Sequence, residues 1–297
     1  MKAIHYKYND EKILLGEYTV KPPLVKPSRL SANGAGKALS DGWAVNFAVG
    51  CLHGCPFCYV DSIHRNFNPY RLPREVVERP WGSYFLTPAN IDEAIRETPW
   101  WRWRGQLVLM SSMHDPYLPQ LYPIPRKILE VALPHGVRFL IQTRSTLVLR
   151  DLDLLGRYRE HVVVQVSIAT LDERLASLIE PGVPPPRVRL EVLKKAKEAG
   201  LKVGAIVAPV VPRPGVEADL EAVVRELARV GVDQVFGEML HARGDNLARM
   251  RAALGWLKID AEADRRLGQL FTKLLRDYGL RGQWWYEYES KRPDRRT

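Results

Sequence analysis

Long apolar runs are missing from this chain. No stretch approaches the roughly 20 consecutive apolar residues that a membrane-spanning helix requires, and the opening MKAIHYKYND carries no apolar segment of the kind a secretory leader needs. The sequence therefore reads as a cytoplasmic protein with no membrane partner. Internal repeats of roughly 20–50 residues and low-complexity tracts are also absent, which excludes solenoids, collagen-like and mucin-like chains. Cysteine is scarce: there are three in 297 residues, too few and too crowded for a disulfide framework. What is there is ordinary globular composition, 46% hydrophobic and 26% charged, enough to bury one large core. Lys and Arg number 44 against 34 Asp and Glu, a net charge of +10. That excess admits a polyanionic partner, nucleic acid being the candidate, because clustered cations gain by releasing phosphate counterions; a basic solvated surface gives the same sum.

The three thiols all stand in Gly50-Cys-Leu-His-Gly-Cys-Pro-Phe-Cys-Tyr59, a C-x3-C-x2-C spacing. In a reducing compartment they are free to bind a soft metal as thiolates. A four-iron cubane held by Cys51, Cys55 and Cys58 would leave one iron without a protein ligand, and an open iron is reactive. The structural rival is a closed Cys3His zinc knot completed by His53 or His64.

Short apolar runs alternate with helical patterns along most of the chain. Residues 43–49 (WAVNFAV) read as a first strand that delivers the cysteine loop. Runs at 106–110, 137–142, 161–168, 201–208 and 232–236 read as five more, each apolar enough to be buried on both faces. Helices are expected at 88–98, with Asn90 as its cap, and at 124–133, 146–159, 171–180, 186–199 and 217–230. Such alternation implies right-handed βαβ units and a parallel sheet. Six units are too few for a closed eight-stranded barrel, so the expected fold is α/β, a partial (β/α)6 barrel over residues 41–240. Residues 1–40, with Pro22, Pro23, Pro27, Gly34 and Gly36, read as a hairpin and basic lead-in. Residues 241–297 read as a helical cap with a basic, aromatic tail.

On the cysteine loop together with MSSMHDPYLP (110–119), IQTRSTLVLRDLDLL (141–155), VSIATLDERLASLIEPG (166–182) and RLEVLKKAKEAGLKVGAIVAPVVP (189–212), the sequence resembles the radical S-adenosylmethionine (SAM) superfamily, spore photoproduct lyase-like branch. The resemblance implies a 4Fe-4S cluster on Cys51, Cys55 and Cys58 whose open iron binds S-adenosylmethionine, and an electron donor of ferredoxin or flavodoxin type. It also implies reductive cleavage to a 5′-deoxyadenosyl radical that abstracts hydrogen from substrate. It places Phe57 near the adenine, Ser111 and Ser112 at the methionine amine, Arg144 at the methionine carboxylate, Ser167 and Gln165 at the ribose, and Val207 and Ala208 flanking the adenine. Packing, surface pairing and turn formation are the alternatives at those positions.

Spore photoproduct lyase needs a further cysteine to return hydrogen to the product, and this chain has no fourth. Tyr59 and Tyr117 are the candidate hydrogen relays, or else buried structural phenols. His114 is a candidate acid–base, Asp115 its partner or a turn cap, and Glu180 a substrate contact or a helix end. Trp100, Trp101 and Trp103, interleaved with Arg102 and Arg104, suit stacking on bases or a packed helix-to-strand connection. Substrates thus range from a nucleic-acid base to a protein side chain or small metabolite. A non-catalytic, metal-stabilised nucleic-acid-binding module is the remaining reading.

Overall fold

The computed structural model describes residues 6–10, 13–28, 39–259 and 261–285, with backbone alone for 6–10 and 261. The Gly34–Gly36 part of the lead-in and the tail from residue 286 lie outside the described residues.

The strands are β1 (Tyr6–Asp10), β2 (Ile13–Tyr18), β3 (Val25–Pro27), β4 (Trp43–Val45), β5 (Val49–Gly50), β6 (Tyr84–Pro88), β7 (Leu107–Met110), β8 (Arg138–Thr143), β9 (Val162–Ser167), β10 (Lys202–Val210), β11 (Gln234–Met239) and β12 (Gly282–Trp284). Eight of them form one open sheet in the order β12-β11-β10-β9-β8-β7-β4-β3. The six strands from β4 to β11 in that order run parallel, as the alternation predicts, and make a partial barrel. Two edge strands were not expected: β12 adds parallel to β11, and β3 adds antiparallel to β4.

The remaining strands form a second sheet, β1-β2-β6-β5. It exists because the 43–49 run is not one strand. It breaks at Asn46, whose side-chain oxygen accepts from Ser112 N (2.9 Å) and Met113 N (3.1 Å), so β4 stays in the large sheet while β5 pairs with β6. Asn90 likewise does not cap helix Ile91–Glu97. Its amide binds Val20 N and Val20 O (2.9 and 3.0 Å), stitching the chain after β2 to that helix. The expected helix at 146–159 begins as a 3-10 segment, Thr146–Asp151, before helix Leu152–Arg157.

Alternation within each strand decides what lies on either side of the large sheet. Val108, Met110, Phe139, Ile141, Val164, Val203 and Val235 join the main core under the helices. The residues between them face inward. Ala44, Leu109, Leu140 and Ile206 pack there as a small apolar cluster with Leu39. Register then stacks a polar row, Gln142–Gln165–Gly204–Gln234, and beyond it Ser167–Ile206–Phe236, toward the carboxyl ends. Ligands of open parallel sheets bind at those ends.

Candidate active site

The carboxyl ends of β7, β8, β10 and β11 and the cysteine loop enclose a cavity of about 610 Å³. Cys51, Cys55 and Cys58 all line it. Their loop leaves β5 at Gly50, where φ is +81° and a Cβ would stand 2.3 Å from Tyr84 O, so a side chain cannot be accommodated. It is closed internally by Gly54 N donating to Cys51 O (3.3 Å) and Cys58 N to Cys55 O (3.0 Å).

Two distant segments clamp it. Gly182 N donates to His53 O (3.1 Å), and His53 Nδ1 lies 2.8 Å from Gly182 O; a Cβ on Gly182 would meet Leu52 O at 2.6 Å. From helix Asn246–Ala253, Asn246 donates to Phe57 O (3.0 Å), and the Arg249 guanidinium donates to Pro56 O (3.1 Å), to Cys58 O and to the buried Asp61 carboxylate. Neither Asn246 nor Arg249 carries a motif signal.

Asp115 joins three elements. Its carboxylate accepts from Tyr117 N (2.9 Å), Thr143 Oγ1 (2.7 Å) and Arg144 N (2.7 Å), and pairs with His53 Nε2 (3.0 Å). Burial alone would raise its pKa, yet these bonds hold it down at about 2. The turn-capping reading of Asp115 is thus correct, and the same group fixes the cysteine loop to β8. His114 lines the cavity with Nδ1 on Ser111 Oγ (3.1 Å) and its ring edge-on to Phe47 (4.7 Å). Burial lowers its pKa to about 3, so it is neutral at physiological pH and does not serve as the near-neutral acid–base group expected from the sequence.

Arg144 reaches the cavity with its ring-facing side 5.4 Å over Phe57, while its Nε donates to Glu180 Oε1 (2.9 Å). Glu180 is buried and also holds the buried Arg189. It is therefore a structural counter-ion between two arginines, not a substrate contact. Arg144 remains the cation beside the thiols: burial pushes the Cys55 thiol well up, and Arg144 opposes that rise. Cys51 is pushed up to about 12 by burial. Thiolates in so dry a place need a cationic partner, which a metal centre provides.

The donor set fits a cluster rather than a single ion. Among the described residues no three His, Cys, Asp or Glu side chains converge on one metal position. Both ring nitrogens of His53 are occupied, and His64 packs among Tyr70, Trp81 and Tyr84 with Nδ1 2.8 Å from the Tyr84 hydroxyl. The zinc knot thus lacks its fourth ligand. A polar cofactor fits as well. Gln165 and Ser167 are fully buried, and neither the Gln165 amide nor Ser167 Oγ has a hydrogen-bond partner. By register both stand on the same face as Gln142 and Ile206, which line the cavity. A polar ligand there would offset their desolvation, a cost of about 1–3 kcal/mol per orphaned group.

Other expected residues divide. Ser111, Ser112, Tyr59, Phe57 and Ala208 line the cavity, with Tyr59 OH donating to Ser112 O (3.3 Å) and Ser112 bound to Asn46. Val207 points into the main core on the other face. Tyr117 is not brought to the cavity: its buried hydroxyl donates to Asp151 Oδ2 (2.9 Å) behind the sheet end. Trp100 and Trp103 are buried, Trp103 edge-on to Trp43, so the tryptophan segment is a packed connection with Trp101 alone exposed. The cavity wall opposite the cysteines, which includes Glu238, His241, Arg243 and Trp285, was not anticipated from the sequence.

The Radical SAM superfamily model matches residues 45–227. A protein of Acidianus two-tailed virus, described as an uncharacterized protein, is 62% identical over 285 residues, covering 93% of this chain and 94% of its own. A Radical SAM Nalpha-GlyT isomerase of Pseudomonas phage M6 is 25% identical over 195 residues, 65% of this chain but 38% of the isomerase. Among solved structures, a spore photoproduct lyase mutant with bound AdoMet and dinucleoside spore photoproduct superposes with TM-score 0.63 at 18% identity, covering 83% of this chain and 77% of the lyase. With that match spanning the cysteine loop and the strands that enclose its cavity, the chain belongs to the radical SAM superfamily and is an enzyme using a 4Fe-4S cluster and S-adenosylmethionine.

Proposed function

We propose that this enzyme abstracts a hydrogen atom from a nucleic-acid base, with Cys51, Cys55 and Cys58 holding the cluster. The observation that carries the reading is the convergence of all three thiols on one cavity at the carboxyl ends of the parallel strands. The bound cofactors supply a one-electron cleavage that releases a 5′-deoxyadenosyl radical. The protein supplies position and exclusion of water. Arg144, next to Cys55, is the cation for the methionine carboxylate. Ser111 and Ser112 stand where the amine would lie, and the unpartnered Ser167 and Gln165 are donors and acceptors for the ribose. Phe57 and Ala208 give apolar contact to the adenine. Tyr59, its hydroxyl on Ser112 O, is the phenol placed to return hydrogen in a chain without a fourth cysteine. Tyr117 drops out of that role because Asp151 holds it.

The base as substrate is supported by the net charge of +10 and by the company the fold keeps: a lyase solved with a dinucleoside photoproduct and a phage GlyT isomerase. A reductant of ferredoxin or flavodoxin type completes the system. The test is anaerobic reconstitution with about four irons per chain, then dithionite and S-adenosylmethionine. We expect 5′-deoxyadenosine from the wild type and none from Cys55→Ala, which also loses the iron–sulfur absorption. With deuterated oligonucleotides, deuterium should pass into 5′-deoxyadenosine. Cleavage without any transfer from nucleic acid would refute the substrate, and a chain that binds one zinc and no iron would refute the whole reading.

A further inference from the structure

The cavity wall contributed by β11 and by the residue just after β12 contains groups that neither cluster nor cofactor binding uses. Val235 pairs with Gly282, Phe236 with Gln283 and Gly237 with Trp284, so the next step of the register sets Glu238 beside Trp285 on the cavity face. Trp285 N donates to Gly237 O (2.7 Å), and its ring stacks on Phe236 with centroids 4.8 Å apart and planes 21° apart. Both Glu238 and Trp285 line the cavity. The indole Nε1 of Trp285 is buried and has no hydrogen-bond partner among the described residues, a donor aimed at nothing the protein provides.

Glu238 is held still from behind. Its Oε1 lies 3.2 Å from His241 Nδ1 and 3.4 Å from the Arg243 guanidinium. His241 Nε2 lies 3.3 Å from Asp264 Oδ2, and Asp264 Oδ1 accepts from Trp284 Nε1 (2.8 Å). A carboxylate braced in this way by a buried chain reaching into helix Ala261–Asp277 keeps one orientation toward the cavity. Arg243 lines the same cavity.

From these neighbours we infer that the wall is a base-binding subsite that reads a pyrimidine imide edge. The inference rests on the nucleic-acid reading of the preceding section and names the base class. Trp285 N–H donates, the Glu238 carboxylate accepts, and the Arg243 guanidinium donates. A donor–acceptor–donor array complements the C=O, N–H, C=O edge of thymine or uracil. Cytosine sets an unprotonated ring nitrogen against the carboxylate, and N3-methylation removes the proton that Glu238 accepts. Either leaves a buried carboxylate unpaired, the situation in which polar sites discriminate most strongly. Enzymes acting on a base extruded from the stack read that edge and stack an aromatic ring on it; the Trp285 indole is the aromatic surface here.

The test is calorimetric titration of the anaerobic holoenzyme, loaded with S-adenosylmethionine, with the dinucleotide thymidylyl-thymidine, its N3-methylated form and the deoxycytidine counterpart. Thymidylyl-thymidine should bind at least tenfold more tightly than either of the others. In Glu238→Gln the penalty for N3-methylation should shrink to under threefold. The ligand series on the wild-type protein needs no variant to fold. Equal binding of the methylated and unmethylated thymine dinucleotides would overturn the subsite while leaving the nucleic-acid reading standing. No binding of any of the three by a holoenzyme that cleaves S-adenosylmethionine would overturn both.

Discussion

Arg249→Met keeps the aliphatic stem of the side chain and removes the guanidinium that ties helix Asn246–Ala253 to the cysteine loop. Three connections go at once: to Pro56 O, to Cys58 O and to Asp61, whose side chain is 1% exposed. Removing one partner of a buried pair usually costs about 3–5 kcal/mol. Two facts reduce that figure. Arg65 still holds the other Asp61 oxygen at 3.1 Å, and Arg249 itself is 23% exposed, so water partly screens it. We expect a loss of about 2–3 kcal/mol, which for a chain of this size corresponds to a fall in Tm of about 5–10 °C. Because the carbonyls released belong to the residues between and at the second and third cysteines, the loss should also appear at the metal. Anaerobically reconstituted Arg249→Met should hold less iron than wild type and bleach faster in air. Differential scanning fluorimetry of the apo-protein, iron analysis and the rate of loss of the iron–sulfur absorption measure the three effects. A variant melting within about 1 °C of wild type with equal iron would refute the clamp.

Two further outcomes test the scaffold around the loop. Gly182→Ala places a Cβ within 2.6 Å of Leu52 O and 2.9 Å of His53 Cα, both backbone of the cysteine loop. It should cost about 1–3 kcal/mol and lower iron retention, whereas Gly255→Ala, with nothing within 4 Å, should change neither by iron analysis or thermal melt. His114, neutral in the fold with a pKa of about 3, accepts a proton in the unfolded chain below its ordinary value of about 6.5. Between those values the unfolded state binds more protons, so stability falls as pH drops, by up to about 1.4 kcal/mol per pH unit from this group. Tm measured from pH 7 to 4.5 should fall less steeply in His114→Gln than in wild type, and parallel slopes would refute the assignment.

What could be read from the sequence is local or periodic. Cys51, Cys55 and Cys58 sit on one short loop, so their spacing announces shared chemistry before any fold is known. The six parallel strands are apolar runs long enough to bury both faces, and their βα alternation fixes hand and order. The isolated polar residues in an otherwise apolar strand, Gln165 and Ser167, could be seen as exceptions to core composition, and they proved to face the cavity side. Tertiary structure decided everything that depends on residues meeting across the chain. Arg249 and Asn246 reach the cysteine loop over separations of 193 and 189 residues from a helix whose sequence carries no motif. Glu238 and Trp285 become neighbours only because a three-residue strand near the end of the described chain joins the sheet, a register that no local pattern specifies. Tyr59 and Tyr117 looked equivalent in sequence, yet one hydroxyl meets Ser112 in the cavity and the other Asp151 behind it. A side chain's type and spacing follow from the chain itself; its hydrogen-bond partner is whatever the closed sheet and its loops bring within about 3 Å.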